Sequence, residues 1–205
     1  MDAETVKKIL VIDLAFIGDV ILATPTMRAL KACFPKARLT MLTVPLTAEI
    51  AAMDPYVDYV NIMTYDLDEA PHHHSALSDS RAYKDCARSV QAYLNAGVSP
   101  KKLVLGVPFY GRHSWSQSPT AVTYKSILQM DRYKYRRNQW DEIAQCPYVE
   151  TMGGDFFCGY DNPRSIAAKG DWVRKKGMLG LMYWEYDQDD AIGTLRTAVW
   201  NAVMQ

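Results

Sequence analysis

The sequence predicts a parallel α/β fold of about five βα units, on three observations. Short apolar runs recur along the chain, stretches of helical periodicity separate them, and turn or cap residues stand at the joints. Nearly continuous apolar runs suit strands covered on both faces, and alternating strands and helices imply right-handed crossovers within one parallel sheet. Five units are too few to close an ordinary eight-stranded barrel. The expected form is therefore an open, doubly wound sheet rather than a closed barrel.

The elements follow in order. Residues 9–14, Ile-Leu-Val-Ile-Asp-Leu, read as the first buried strand, and Gly18 as the turn after it. Val20, Ile21, Ala23, Thr24, Met27 and Leu30 keep helical spacing up to a stop at Pro35. A second strand is expected over 39–44, a short helix over 48–53, and a third strand over 57–64 that ends in Tyr65-Asp66. A loop containing His72, His73 and His74 follows. The periodicity of 81–96 predicts a helix, with Gly97 at its left-handed cap. Residues 102–107 form the fourth strand, and 111–154 read as irregular except for a short helix near 124–130. A minor strand at 156–160 leads to a helix that starts near Pro163 and closes at Gly177. Residues 179–184 form the last main strand and 191–203 the final helix.

Composition narrows the function. With 205 residues and 49% hydrophobic content, one packed domain is expected. The 23 basic and 23 acidic residues cancel, so no long-range field gathers nucleic acid or anionic membrane. Arg132, Lys134, Arg136 and Arg137 interleave with Tyr133 and Tyr135, but Asp131, Asp141 and Glu142 answer them; a solvated face is the simpler reading. Cys33, Cys86, Cys146 and Cys158 form no C-x-x-C pair and read as buried free thiols. No cofactor motif is present: no G-x-G-x-x-G, no Walker loop, no H-E-x-x-H. The histidine run and Asp187, Asp189 and Asp190 read as solvated segments rather than metal sites. No secretion signal or membrane-length apolar stretch is visible, so a cytoplasmic location is expected.

Three separated motifs carry a resemblance: Tyr59-Val-Asn-Ile-Met-Thr-Tyr-Asp66, Lys102-Leu-Val-Leu-Gly-Val-Pro-Phe-Tyr-Gly-Arg112 and Gly180-Leu-Met-Tyr-Trp-Glu185. With the connecting phrases at 93–98, 157–166 and 173–177, residues 57–205 resemble the C-terminal part of the chitinase-like family 18 glycoside hydrolases, whose fold is a (β/α)8 barrel. Residues 7–58 are instead similar to the start of a family 9 glycosyltransferase, the heptosyltransferase group. That resemblance rests on Ile17-Gly-Asp-Val20, Thr24-Pro25, Arg28-Ala-Leu-Lys31, Phe34-Pro-Lys-Ala-Arg-Leu-Thr40 and Asp54-Pro-Tyr-Val-Asp58. Together they imply a chimera, engineered or selected, in which a Rossmann-like fragment, 1–57, and a half-barrel fragment, 58–205, share one domain as a hybrid open sheet.

The first resemblance implies a substrate-assisted hydrolase of N-acetylglucosamine polymers whose general acid sits in D-x-x-D-x-D-x-E. That spacing occurs nowhere in these 205 residues. The same resemblance implies that Tyr65 and Asp66 hold the acetamido group with Met63 beside it, that Tyr110 and Arg112 reach sugar hydroxyls, and that Trp184 is the floor under the ring. Each has a plainer alternative: Met63 and Trp184 as packing, Asp66 and Arg112 as a structural ion pair. Glu185 and Asp19 are the weak candidates for a replacement acid. Asp19 matches the transferase family's base, but suits a helix cap at least as well.

The leading expectation is thus an inactive hybrid that binds N-acetylglucosamine oligosaccharides weakly. The alternative is a chitinase-like hydrolase whose acid comes from another residue or a partner chain, and a glycosyltransferase ranks third. Unpaired sheet edges would also allow association into homo-oligomers.

Overall fold

A computed structural model describes residues 5–13, 17–43 and 57–204. Two five-stranded sheets carry the fold. The first is parallel and takes β1 (Lys8–Asp13), β2 (Arg38–Thr43), β3 (Tyr59–Ile62), β4 (Leu103–Pro108) and β10 (Gly180–Trp184), in that spatial order. Helices α1 (Ile17–Cys33), α2 (Cys86–Asn95), α4 (Pro163–Lys175) and α5 (Thr194–Met204) lie along the chain between or after these strands.

The register explains what the apolar runs are for. Ile9 pairs with Leu39, Met41 with Val60, Ile62 with Leu105, and Leu105 with Leu181, so one residue parity runs across all five strands. That face meets Val20 and Met27 of α1, Val90 and Tyr93 of α2, and Val173 of α4 in a single core. Each such side chain, fully buried, contributes about 1.5–3 kcal/mol. The opposite face is buried at Thr40, Leu42 and Val104 but exposed at Leu10 and Ile12 of β1.

The winding differs from the expected one. A doubly wound sheet reverses its strand order, whereas here the order rises without reversal from β1 to β10. With right-handed crossovers, monotonic order puts every crossover helix on one face, as in a barrel wall. Among the described residues β1 and β10 do not pair, so the wall is an open arc with two edges.

Residues 109–160 hold the second correction. The expected irregular segment is an antiparallel sheet in the order β6-β5-β9-β8-β7. Its strands are β5 (Tyr110–Arg112), β6 (Ala121–Thr123), β7 (Tyr135–Asp141), β8 (Cys146–Thr151) and β9 (Phe156–Gly159), with the short α3 (Tyr124–Leu128) beside β6. One solvated face makes such strands rich in polar residues, so they lack the apolar run that marks a buried strand. Arg136, for example, sits on β7 against Glu150 of β8 at 3.2 Å.

Local signals are mostly honoured. Asp85 caps α2 by accepting from Arg88 N at 2.7 Å, and Gly97 follows at φ +87°. Asn162 and Ser165 form a reciprocal capping box ahead of α4, and Gly177 closes it at φ +66°. The first helix begins at Ile17, so Gly18 lies inside it rather than in a turn. The helix expected over 48–53 lies outside the described residues. Cys86, Cys146 and Cys158 are buried, but Cys33 is exposed at the end of α1. No helix among the described residues is long and apolar enough to cross a membrane.

Candidate functional site

Polar and aromatic side chains gather where β3, β4 and β10 end, the edge at which α/β sheets place their ligands. Thr64 staples β3 to β4: its hydroxyl donates to Gly106 O at 2.7 Å and accepts from Gly106 N at 2.9 Å. A Cβ at Gly106 would stand 2.5 Å from Ile62 O and 2.9 Å from Tyr65 Cε1. The glycine thus lets the Tyr65 ring lie directly on β4.

Asp66, at φ +54°, turns its carboxyl towards β5. Arg112 donates to Asp66 Oδ1 through Nε at 3.0 Å and Nη2 at 2.9 Å. Tyr110 shares a side-chain hydrogen bond with the same carboxyl. Burial raises the Asp66 pKa, but hydrogen bonds from Tyr110 and Arg112 outweigh that and hold it below the usual carboxylate range. Burial, with Asp66 adding to it, raises both tyrosine phenols. They are neutral donors at pH 7.

Behind this cluster lies His74, fully buried and tilted against Tyr110. Its Nδ1 accepts from Asp66 N at 3.2 Å, and Nε2, 3.2 Å from Tyr110 O, donates there in the tautomer that satisfies both. Burial lowers its pKa, so the ring is a neutral brace between the Asp66 turn and β5. The solvated reading of the histidine run is corrected: His72 is exposed, but His73 and His74 are 3% and 0% exposed. Nothing in the sequence motif distinguishes them.

The structure therefore brings Tyr65, Asp66, Tyr110 and Arg112 into contact. Tyr65 and Tyr110 meet edge to face at 6.2 Å between centroids. The Arg112 guanidinium also lies over the Trp115 ring, 4.4 Å from its centroid. Trp184 ends β10 opposite Pro108, 46% exposed, and its carbonyl accepts from Phe109 N at 2.7 Å. Met63 is half-buried at the end of β3. The Asp66–Arg112 ion pair is present, and one polar atom beside it is left over: the Tyr65 hydroxyl is buried without a hydrogen-bond partner.

Neither replacement acid joins this group. Glu185 is exposed and heads the turn 186–188. Asp19 lies near the start of α1, and its side chain is outside the described residues. Of the acidic turn, Asp189 is buried rather than solvated, accepting from Leu195 N at 3.1 Å and Arg196 N at 3.0 Å. Among the described residues no three His, Cys, Asp or Glu side chains converge on a metal position.

A rising-order parallel sheet with an aromatic and carboxylate cluster at its carboxyl edge defines a class: proteins of (β/α)-barrel type with a site at the strand ends. The chain belongs to glycosyl hydrolases family 18, whose family model matches residues 27–189. It is 30% identical over 183 residues to chitinase A1 of Niallia circulans, an alignment covering 72% of this chain and 26% of that protein. Chitinase 63 of Streptomyces plicatus is 29% identical over 74% of this chain and 28% of its own length. The chain thus spans about a quarter of these relatives.

Among solved structures, chitinase ChiW from Paenibacillus sp. str. FPU-7 superposes with a TM-score of 0.77 at 26% identity, covering 93% of this chain and 25% of that one. The class V chitinase of Nicotiana tobaccum reaches the same TM-score at 20% identity, covering 93% of this chain and 66% of its own, and shares the fold. Such coverage cannot be reached without most of the first 58 residues. The family match itself begins at Met27, inside α1, and so takes in β2. More than half of the transferase-like stretch, residues 27–58, therefore lies within the family 18 match.

Proposed function

We propose that this chain forms the sugar-orienting part of a family 18 hydrolase site acting on O-glycosyl bonds of N-acetylglucosamine oligosaccharides. The observation that carries this reading is the partnerless Tyr65 hydroxyl beside a carboxyl that Arg112 and Tyr110 hold in place. A buried hydroxyl left unpaired costs about 1–3 kcal/mol, which a ligand acceptor relieves. An acetamido carbonyl would accept from Tyr65, its N–H would donate to Asp66, and a pyranose face would lie on Trp184.

In the substrate-assisted route the acetamido oxygen attacks the anomeric carbon, the glycosidic bond breaks, and an acid protonates the leaving oxygen. Asp66 and Tyr65 orient the attacking group. The proton donor, in this reading, is a carboxyl on a further polypeptide segment or partner chain, since D-x-x-D-x-D-x-E is absent from these residues. That absence also favours a second reading, binding without turnover. The two-source origin of the chain is carried by the motifs of residues 7–58 alone, and no transferase chemistry is assigned to them.

Calorimetry with chitotriose and hydrolysis of a fluorogenic chitobioside test both readings. Heat of binding that Asp66→Asn removes supports the sugar site; no heat at millimolar ligand sinks it. Hydrolysis by the chain alone, lost in Glu185→Gln, would place the acid within these residues and refute the donor in trans.

A further inference from the structure

A cavity of about 600 Å³ opens beside His73. Small-molecule sites span about 300–1,000 Å³. Its wall holds His73 on one side and Trp140, Tyr148 and Phe156 of the antiparallel sheet on the other. None of Tyr65, Asp66, Tyr110, Arg112 or Trp184 lines it.

Two buried polar side chains in this wall make no short hydrogen bond. His73 is 3% exposed; its Nδ1 packs against the Gly159 backbone, where an added Cβ would stand 2.6 Å from it, and its Nε2 has no hydrogen-bond partner. The nearest carboxylate oxygen, Asp141 Oδ2, is 3.4 Å from Nε2 and is taken by Arg81 at 2.5 Å. The Trp140 indole Nε1 is also buried without a partner. Leaving such groups unpaired costs about 1–3 kcal/mol each, and a native fold that keeps them in one cavity invites an explanation.

The wall also states what fits. Its carboxylates are already paired: Asp79 with Arg81 at 2.8 Å, Glu150 with Arg136 at 3.2 Å, Glu142 with Arg164 at 3.4 Å. A cation would have to displace an arginine, and an anion would meet carboxylates. Burial pushes the His73 pKa down to about 4, so at pH 7 the ring is neutral and Nε2 donates or accepts according to the tautomer. Phe156 and Tyr148 stack at 5.1 Å and give an apolar surface. Hydroxyl groups donate and accept at once, and a sugar ring has an apolar face.

We propose that this cavity binds a neutral hydroxylated ligand of monosaccharide size, hydrogen-bonded to His73 and Trp140 and packed against Phe156 and Tyr148. The site is independent of the acetamido-reading cluster.

The test is a titration of the full chain with glucose, galactose and mannose, none of which carries an acetamido group. It is followed on the indole N–H signals, with Trp140 assigned through Trp140→Phe. The expected result is a saturable shift of the Trp140 signal with at least one hexose in the millimolar range, lost in Ile143→Trp, a substitution at a half-exposed rim position that fills the mouth. A silent Trp140 signal with all three hexoses overturns the proposal and leaves a water-filled cavity. So does a shift that persists in a folded Ile143→Trp protein. A response at Trp184 with Trp140 silent would also overturn it while leaving the first sugar site standing.

Discussion

Replacing Lys169 with methionine takes the cation out of a pair sealed from solvent on both sides. Lys169 Nζ stands 2.6 Å from Asp161 Oδ2, and both side chains are 0% exposed. At that separation the attraction is about 6 kcal/mol for an effective dielectric of about 20, against a desolvation cost of several kcal/mol per ion. Burial lowers the Lys169 pKa, but the Asp161 charge more than reverses this and leaves it raised. Removing one partner of a buried pair costs about 3–5 kcal/mol, because the other charge stays behind. Asp161 keeps two hydroxyl donors, Ser75 at 2.8 Å and Ser165 at 2.6 Å, so the low end, about 3 kcal/mol, applies. Methionine fills most of the lysine volume, so the figure contains little cavity cost. Urea unfolding followed by tryptophan fluorescence measures it, and the Asp161→Asn/Lys169→Met double variant should cost less than Lys169→Met alone. A single variant within about 1 kcal/mol of the parent would refute the argument. Ser75 adjoins His74, so the same substitution should also weaken sugar binding.

Three further outcomes are expected. Asp66→Asn should change stability by no more than about 1 kcal/mol, the pair being partly exposed, while abolishing the binding heat with chitotriose; retained heat would discount the cluster. Gly106→Ala should cost about 1–3 kcal/mol through overpacking, since its Cβ meets the Ile62 carbonyl as well as Tyr65; an unperturbed melting curve would contradict this. His73 should make stability fall with acid. Its folded pKa lies near 4 against 6.5 when unfolded, so the unfolded chain takes up the extra proton as pH drops through that window. The loss approaches about 1.4 kcal/mol per pH unit, and a His73→Phe variant should flatten the profile between those values.

Strands β1 to β4 and β10 were legible because each is a largely apolar run with one face in the common core, and the mouth residues because they sit in motifs at strand ends. The winding was not legible, since strand order depends on pairings between distant segments that no local run encodes. The antiparallel sheet escaped for a different reason: Arg136 to Gln139 of β7 is an unbroken polar run, so its half-buried side leaves no apolar alternation to read. His74 and Lys169 look like surface residues by type; each is buried because its polar atoms are bonded, His74 between Asp66 N and Tyr110 O and Lys169 to Asp161. Only Gly106 left a usable trace, as a lone glycine inside an otherwise branched apolar strand.

The neighbouring position of β4 and β10 sets an order for self-assembly. Val104 pairs with Gly180, yet the chain between them makes the whole antiparallel sheet and α4 before returning. Closing so long a loop is entropically modest at equilibrium, about 0.6 kcal/mol for each doubling of its length. In time it is demanding, because pairings so far apart in sequence slow the search. The last strand should therefore dock late, with β1 to β4 already assembled and Trp184 arriving at the mouth as the final step.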